Sequence, residues 1–141
     1  MAQTFAYDLD PVTFITVGAV GEPGSRTFYL QAAEHGRTVS LLIEKEQALA
    51  LAAGIEQLFA RLHEAGVLPA DEVAPAAGNL GLLLPIEPAF RVGQMGIGVD
   101  EARERVVLIA EENGDDEAEA EGMRARFTAS YAQMAALAQQ A

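Results

Sequence analysis

The chain has 141 residues, half of them hydrophobic, with 9 basic against 21 acidic residues and a net charge of −12. That is one domain by size, far from the composition of a disordered chain, and no apolar run nears the roughly 20 residues that span a bilayer. The excess of acid repels nucleic-acid phosphates and anionic lipid, and the lack of Cys leaves no disulfide, thiol nucleophile or thiolate metal site.

Residues 1–10 carry no basic residue and no long apolar stretch, so they do not read as a secretory signal. Thr13 to Val17, running into Gly18-Ala19-Val20-Gly21, is β-branched and aromatic enough for a strand. Glu22-Pro23-Gly24-Ser25 reads as a type II turn, because Pro presets φ and Gly accepts φ > 0. Thr27 to Ala32 is a second strand, His35-Gly36 a turn, and Thr38 to Ile43 a third strand. Two short turns between three strands predict an antiparallel meander.

The period then changes. Ala48, Leu51, Ala52, Ile55, Leu58, Phe59 and Leu62 form one apolar stripe of a helix from about Lys45 to Ala65, stopped by Gly66 with Pro69 beyond. Residues 66–88, broken by Pro69, Pro75, Pro85 and Pro88, read as a connector. It is expected to hold one helical turn near Asp71-Glu72 and an apolar stretch, Leu80 to Leu84, that packs over the core edge.

The second half reads as a repeat of the first. Phe90 to Gly96 parallels Thr16 to Gly21, with the Gly-x-x-Gly pair recurring at Gly93 and Gly96. Val106 to Ala110 parallels Phe28 to Ala32, and Met123 to Phe127 parallels Val39 to Ile43. A helix follows from about Ala129, with Thr128 as N-cap and Tyr131, Met134, Ala135 and Ala138 on one stripe. The acidic segment 113–121 joins the last two strands. The predicted fold class is α+β: one domain, 1–141, of two β-β-β-α repeats at about 11–65 and 89–141. Each has an antiparallel sheet covered by one helix, and the two are related by a pseudo-two-fold.

Gly18-x-x-Gly21-x-x-Gly24-x-Arg26 could cradle an anion with backbone amides and a guanidinium. It leads into a strand rather than a helix N-terminus, however, and an architectural role for the glycines is the simpler reading. Glu44-Lys45-Glu46-Gln47 sits where a strand meets a helix, and Lys45 is the only lysine. Candidate ligand-binding residues are therefore Gly21, Gly24, Arg26, Glu44, Lys45 and Gln47. No catalytic residue, cofactor or metal is expected. Glu111-Glu112 point to opposite faces of a strand. Asp115, Asp116 and Glu117, with the spacing through to Glu121, lack calcium-loop order, and His35 and His63 have no partner at ligand spacing. Phe14, Phe28, Tyr29, Phe90 and Phe127 read as core rather than as a base-stacking platform.

The block Val17 to Ala32, then Val39-Ser40-Leu41 and Glu44 to Gln47, resembles an uncharacterised, mainly actinobacterial family known only as a domain of unknown function. Phe90 to Gly93 and Ile109 to Glu112 resemble its second half. The resemblance implies a cytoplasmic bacterial protein with no catalytic residues to transfer. Members of that family carry a Cys-x-x-Cys zinc-ribbon tail after the second helix. This sequence has no Cys, so no zinc-linked role carries over. The reading that follows is a non-enzymatic binding or protein-interaction module with a basic protein partner. Alternatives are an anion- or small-molecule-binding enzyme near Gly18–Arg26 and Glu44–Gln47, and a single-stranded nucleic-acid binder.

Overall fold

Pro23-Gly24 and His35-Gly36 fold their segments back as hairpins. Gly24 has φ +90°, His35 +45° and Gly36 +81°, conformations that suit Gly at the tight positions. They connect β2 (Phe14–Val20), β3 (Thr27–Glu34) and β4 (Arg37–Ile43) into an antiparallel meander that leads into α1 (Lys45–Glu64). Gly66, at φ +77°, ends that helix as its sequence position predicts. The second half gives β5 (Pro88–Asp100), β6 (Arg105–Glu112), β7 (Arg124–Ser130) and α2 (Tyr131–Gln140). A further short strand, β1 (Tyr7–Leu9), precedes them all. The computed structural model describes residues 5–66, 81–113 and 122–140. The turn expected near Asp71-Glu72 and the acidic residues Asp115, Asp116, Glu117 and Glu121 lie outside these.

The expected pair of antiparallel sheets is instead one mixed seven-stranded sheet, in the order β1-β7-β6-β5-β4-β3-β2. The two meanders join side by side through a parallel β4–β5 contact, and β1 adds to β7 in parallel. Merging removes two exposed strand edges, which unpaired N–H and C=O groups disfavour.

The sheet does not stay open. Laid flat, seven strands spaced about 4.8 Å apart would separate β1 from β2 by about 29 Å. The link from Leu9 to Phe14 is five Cα steps, which span at most about 19 Å. Within it, the Val12 N–H donates to the Thr128 carbonyl of β7 (2.8 Å), and the next residue, Thr13, donates to Ala33 of β3 (2.8 Å). Strands next to the opposite ends of the order, β7 and β3, are thus stapled by consecutive amides, and the sheet curls into a barrel-like closure. Arg103 adds a two-pronged contact from the β5–β6 turn to Asp10 in this link, at 2.6 and 2.9 Å. Its guanidinium holds the Asp10 carboxyl below the usual carboxylate range.

Alternation assigns the faces. Leu9, Ile15, Val17, Leu30, Leu41, Leu108 and Phe127 point inward and form one apolar cluster with Leu51 and Ile55 of α1 and Met134 and Leu137 of α2. In α2 the buried residues are Met134, Ala136 and Leu137, with Tyr131 and Ala138 packed against the core, while Ala135 is only half-buried; the helix starts two residues later than expected. Its N-cap is Ser130, not Thr128: Ser130 Oγ accepts from the Gln133 N–H (3.1 Å), and Thr128 is a buried strand residue. Phe90 and Phe127 are buried as read, whereas Phe14, Phe28 and Tyr29 are only half-buried.

The outer face of β2–β4 is covered by the end of the connector. Leu82 lies over Gly18, where a Cβ would stand 2.7 Å from the Leu82 Cγ. Gln31, fully buried, clamps the neighbouring residue from both sides. Its Oε1 accepts from the Leu83 N–H (2.7 Å), and its Nε2 donates to the Leu83 carbonyl (3.0 Å) and to Ser40 Oγ (3.1 Å). The described part of the apolar stretch before β5, residues 81–84, therefore packs on the outside of the sheet rather than over the core edge, Leu83 and Leu84 remain exposed, and Leu80 lies outside the described residues.

Candidate functional site

The β3–β4 register pairs Phe28 with Ile43. Carried two residues beyond that pair, it sets Arg26, at the base of the β2–β3 turn, across from Lys45, the first residue of α1. The two side chains line one cavity of about 440 Å³ together with Pro23, Gly24 and Phe28. That volume lies within the range of small-molecule clefts. Pro23 and Phe28 give it apolar walls, and Gly24, whose hypothetical Cβ would meet nothing within 4 Å among the described residues, leaves it open beside the turn. Among the described residues neither Arg26 nor Lys45 has an acidic partner.

The other sequence candidates lie elsewhere or do structural work. Gly21, at φ +114°, closes the turn. A Cβ there would stand 2.8 Å from the Ser25 carbonyl oxygen, so the position needs Gly for its backbone. Glu44 is the N-cap of α1 and pairs with Arg91 at 2.6 Å. Gln47 Oε1 accepts from the Glu44 N–H (2.7 Å), and its Nε2 donates to the Val92 carbonyl (3.0 Å), tying the helix start to β5. The sequence block Glu44 to Gln47 is thus divided: Lys45 faces the cleft, and its neighbours cap the helix and anchor the next strand. The cleft residues missed by sequence are Pro23 and Phe28. Phe28 sits in a strand with the alternation of a core position, and only the register shows that it lines an opening.

The acids of β6 are engaged separately. Glu111 pairs with Arg124 (3.3 Å), and Glu112 Oε1 accepts from the Met123 N–H (2.9 Å). Among the described residues no three His, Cys, Asp or Glu side chains gather to hold a metal ion, and no helix is long and apolar enough to cross a membrane. Tyr131, whose hydroxyl is buried with no hydrogen-bond partner among the described residues, packs edge-on against Phe59. Burial, reinforced by Glu104, Glu101 and Asp100, raises its pKa.

No curated protein and no solved structure matches the chain. A family profile does match, over residues 7–141. By that match, which spans nearly the whole sequence, the chain belongs to the family described as Protein of unknown function (DUF3090).

Proposed function

We propose that this protein is a non-catalytic binding module, built from two copies of a β-β-β-α unit, that takes an anionic small molecule in the Arg26–Lys45 cleft. The observation that carries the reading is the pair itself. In a chain of net charge −12, two cations without an acidic partner among the described residues line one cavity. A phosphate or carboxylate placed between them would gain charge-assisted hydrogen bonds from both. The Pro23 and Phe28 walls suit a ligand whose charged end is attached to an apolar or aromatic body. Glu44 and Gln47, the polar groups that an enzyme reading would use, are committed to the cap and to β5. The overall acidity supports a basic protein partner as a second reading.

The two-unit architecture is supported by hydrogen bonds that recur at matching places. Ser40 of β4 pairs with Pro88 of β5, and Arg126 of β7 pairs with Asp8 of β1. Seven residues after Ser40 and after Arg126 come Gln47 and Gln133, each at the third position of its helix. Four residues after Pro88 and after Asp8 come Val92 and Val12. Gln47 Nε2 donates to the Val92 carbonyl at 3.0 Å, and Gln133 Nε2 donates to that of Val12 at 3.1 Å. Both glutamines also accept from the N–H of their helix N-cap, Glu44 and Ser130. A two-fold rotation along the axis of the curled sheet accounts for all of these at once. It matches Gly18 with Gly98, rather than with Gly93 as the recurring Gly-x-x-Gly pair implies.

Isothermal titration calorimetry with pyrophosphate as phosphate probe and citrate as carboxylate probe tests the cleft. The native chain is expected to bind at least one of them, more weakly as salt is added. The double variant Arg26→Ala/Lys45→Ala is expected to bind about tenfold more weakly or worse, while unfolding at the same temperature, since both side chains are exposed. Native chain that takes up neither probe, or a double variant of equal affinity, would refute the assignment.

A further inference from the structure

We infer that Arg91 is a positioning residue of the anion cleft: by holding the Glu44 carboxylate, it leaves the Lys45 charge to the ligand. The inference rests on the reading of Arg26 and Lys45 as an anion site. It starts from a difficulty in the sequence. Lys45 stands between Glu44 and Glu46 in a chain of net charge −12. Lysine carries its ammonium on a flexible four-carbon stem, so a free carboxylate beside it competes with any bound anion. Glu46 lies in the first turn of α1, where the unpaired N–H groups of a helix offset an acidic charge. Glu44 is the N-cap, and its charge is met by Arg91, whose Nη1 donates to Glu44 Oε1 at 2.6 Å. Among the described residues Lys45 pairs with neither acid.

Consecutive residues of β5 fix the whole junction. Arg91 takes the Glu44 carboxylate, and the Val92 carbonyl accepts from Gln47 Nε2 at 3.0 Å. Lys45 lies between these two anchors in sequence, so the start of α1 is tied down on either side of it. Arg91 is in turn placed by the parallel β4–β5 register, which pairs it with Leu42, two residues before Glu44.

The second unit shows which of these contacts the fold needs. Under the two-fold described above, Gln47 matches Gln133 and Val92 matches Val12, and the hydrogen bond between them is kept. The same offsets match Glu44 with Ser130 and Arg91 with Pro11, and there the ion pair is gone. Ser130, a neutral N-cap, opens α2 through reciprocal bonds with Gln133 at 2.8 and 3.1 Å. A helix at this place thus starts with a glutamine and a cap, and a carboxylate with its own arginine is an addition. The cations are replaced in the second unit too. Lys45 matches Tyr131, and Arg26, the residue before β3, matches Glu104, the residue before β6. Cation pair and ion pair occur together in one unit and are both missing from the other. That coincidence ties Glu44–Arg91 to the cleft rather than to the fold, and a pair this exposed adds little to stability.

The test is calorimetric titration of the full-length chain with pyrophosphate and with citrate at about 20 mM salt, where exposed charges are weakly screened. Arg91→Ala is expected to fold as the native chain does and to bind the probe about threefold more weakly or worse, the size of one nearby charge in water. If that variant does not fold, Arg91→Gln serves in its place. Arg91→Ala/Glu44→Gln removes the carboxylate along with its partner and is expected to return to within about twofold of the native affinity, as is Arg91→Lys, which keeps the charge. Glu44→Gln alone is expected to bind at least as tightly as the native chain. An arginine that touched the anion directly would leave the double variant as weak as Arg91→Ala. That result, or unchanged affinity in folded Arg91→Ala, overturns the inference and leaves the cleft in place. A native chain that binds neither probe refutes the cleft, and this inference with it.

Discussion

Gln31→Leu is expected to destabilise the protein by about 2–3 kcal/mol, although it places an apolar side chain where a fully buried polar one was. The volume is nearly conserved, so packing loss is a small part of the effect. What is lost is a set of three hydrogen bonds, two to the Leu83 backbone and one to Ser40 Oγ. Leaving partly buried partners without a mate costs roughly 1–3 kcal/mol per group, whereas each bond made contributes only about 1. Ser40 is 3% exposed, so its hydroxyl has little access to bulk water once the amide is gone. The change should also release Leu82 from the face above Gly18, so limited proteolysis ought to cut near residues 81–84 faster than in the native chain. Urea denaturation gives the stability directly. A midpoint equal to that of the native protein would show that the clamp does not hold the connector.

Leu9→Ala should cost about 3 kcal/mol, within the range for emptying a Leu-sized space in a packed core. β1 is only three residues long and stands last in the strand order, a place where truncation is usually cheap. Leu9 is nevertheless 0% exposed, pairs with Phe127, and belongs to the same cluster as Leu30, Leu41 and Met134. It precedes the link that joins β7 to β3, so its loss loosens the closure of the sheet as well as the core. By contrast, Asp8→Asn on the same strand breaks only an exposed pair with Arg126, and exposed pairs contribute about 0–1 kcal/mol. A Leu9→Ala cost under about 1 kcal/mol would mean that β1 is an ornament and that the barrel-like closure is not maintained in solution.

Local chemistry made most elements legible. Pro23-Gly24 and His35-Gly36 set two hairpins, alternation set the strand faces, and the stripe from Ala48 to Leu62 with Gly66 set α1 to within a residue. What failed depends on contacts distant in sequence. β1 is three residues with a charged centre, Tyr7-Asp8-Leu9, and becomes a strand only because β7 offers a partner. The fusion of two meanders into one sheet rests on β4–β5 pairing across the connector, for which neither strand carries a local signal. Ser130 caps α2 in place of Thr128 because β7 runs on to the helix and buries the threonine.

The cleft was half legible for the same reason. Gly24, Arg26 and Lys45 were candidates from a turn and from a strand-to-helix junction, and the β3–β4 register brings them together. Glu44 and Gln47 shared the junction but were recruited by Arg91 and Val92, residues whose nearness no sequence pattern announces. Gln31 carried no signal of its own within the Thr27 to Ala32 strand. Only the return of Leu83 over that face turns it into a buried clamp.

Titration of the ¹⁵N-labelled protein with pyrophosphate at low ionic strength, followed through its amide signals, asks most directly whether Arg26 and Lys45 form one anion site. The account predicts that the amides of Gly24, Arg26, Phe28 and Lys45 move together along one saturation curve and return when salt is raised to about 0.5 M. Signals that stay in place, or that move equally in the Arg26→Ala/Lys45→Ala protein, would contradict it.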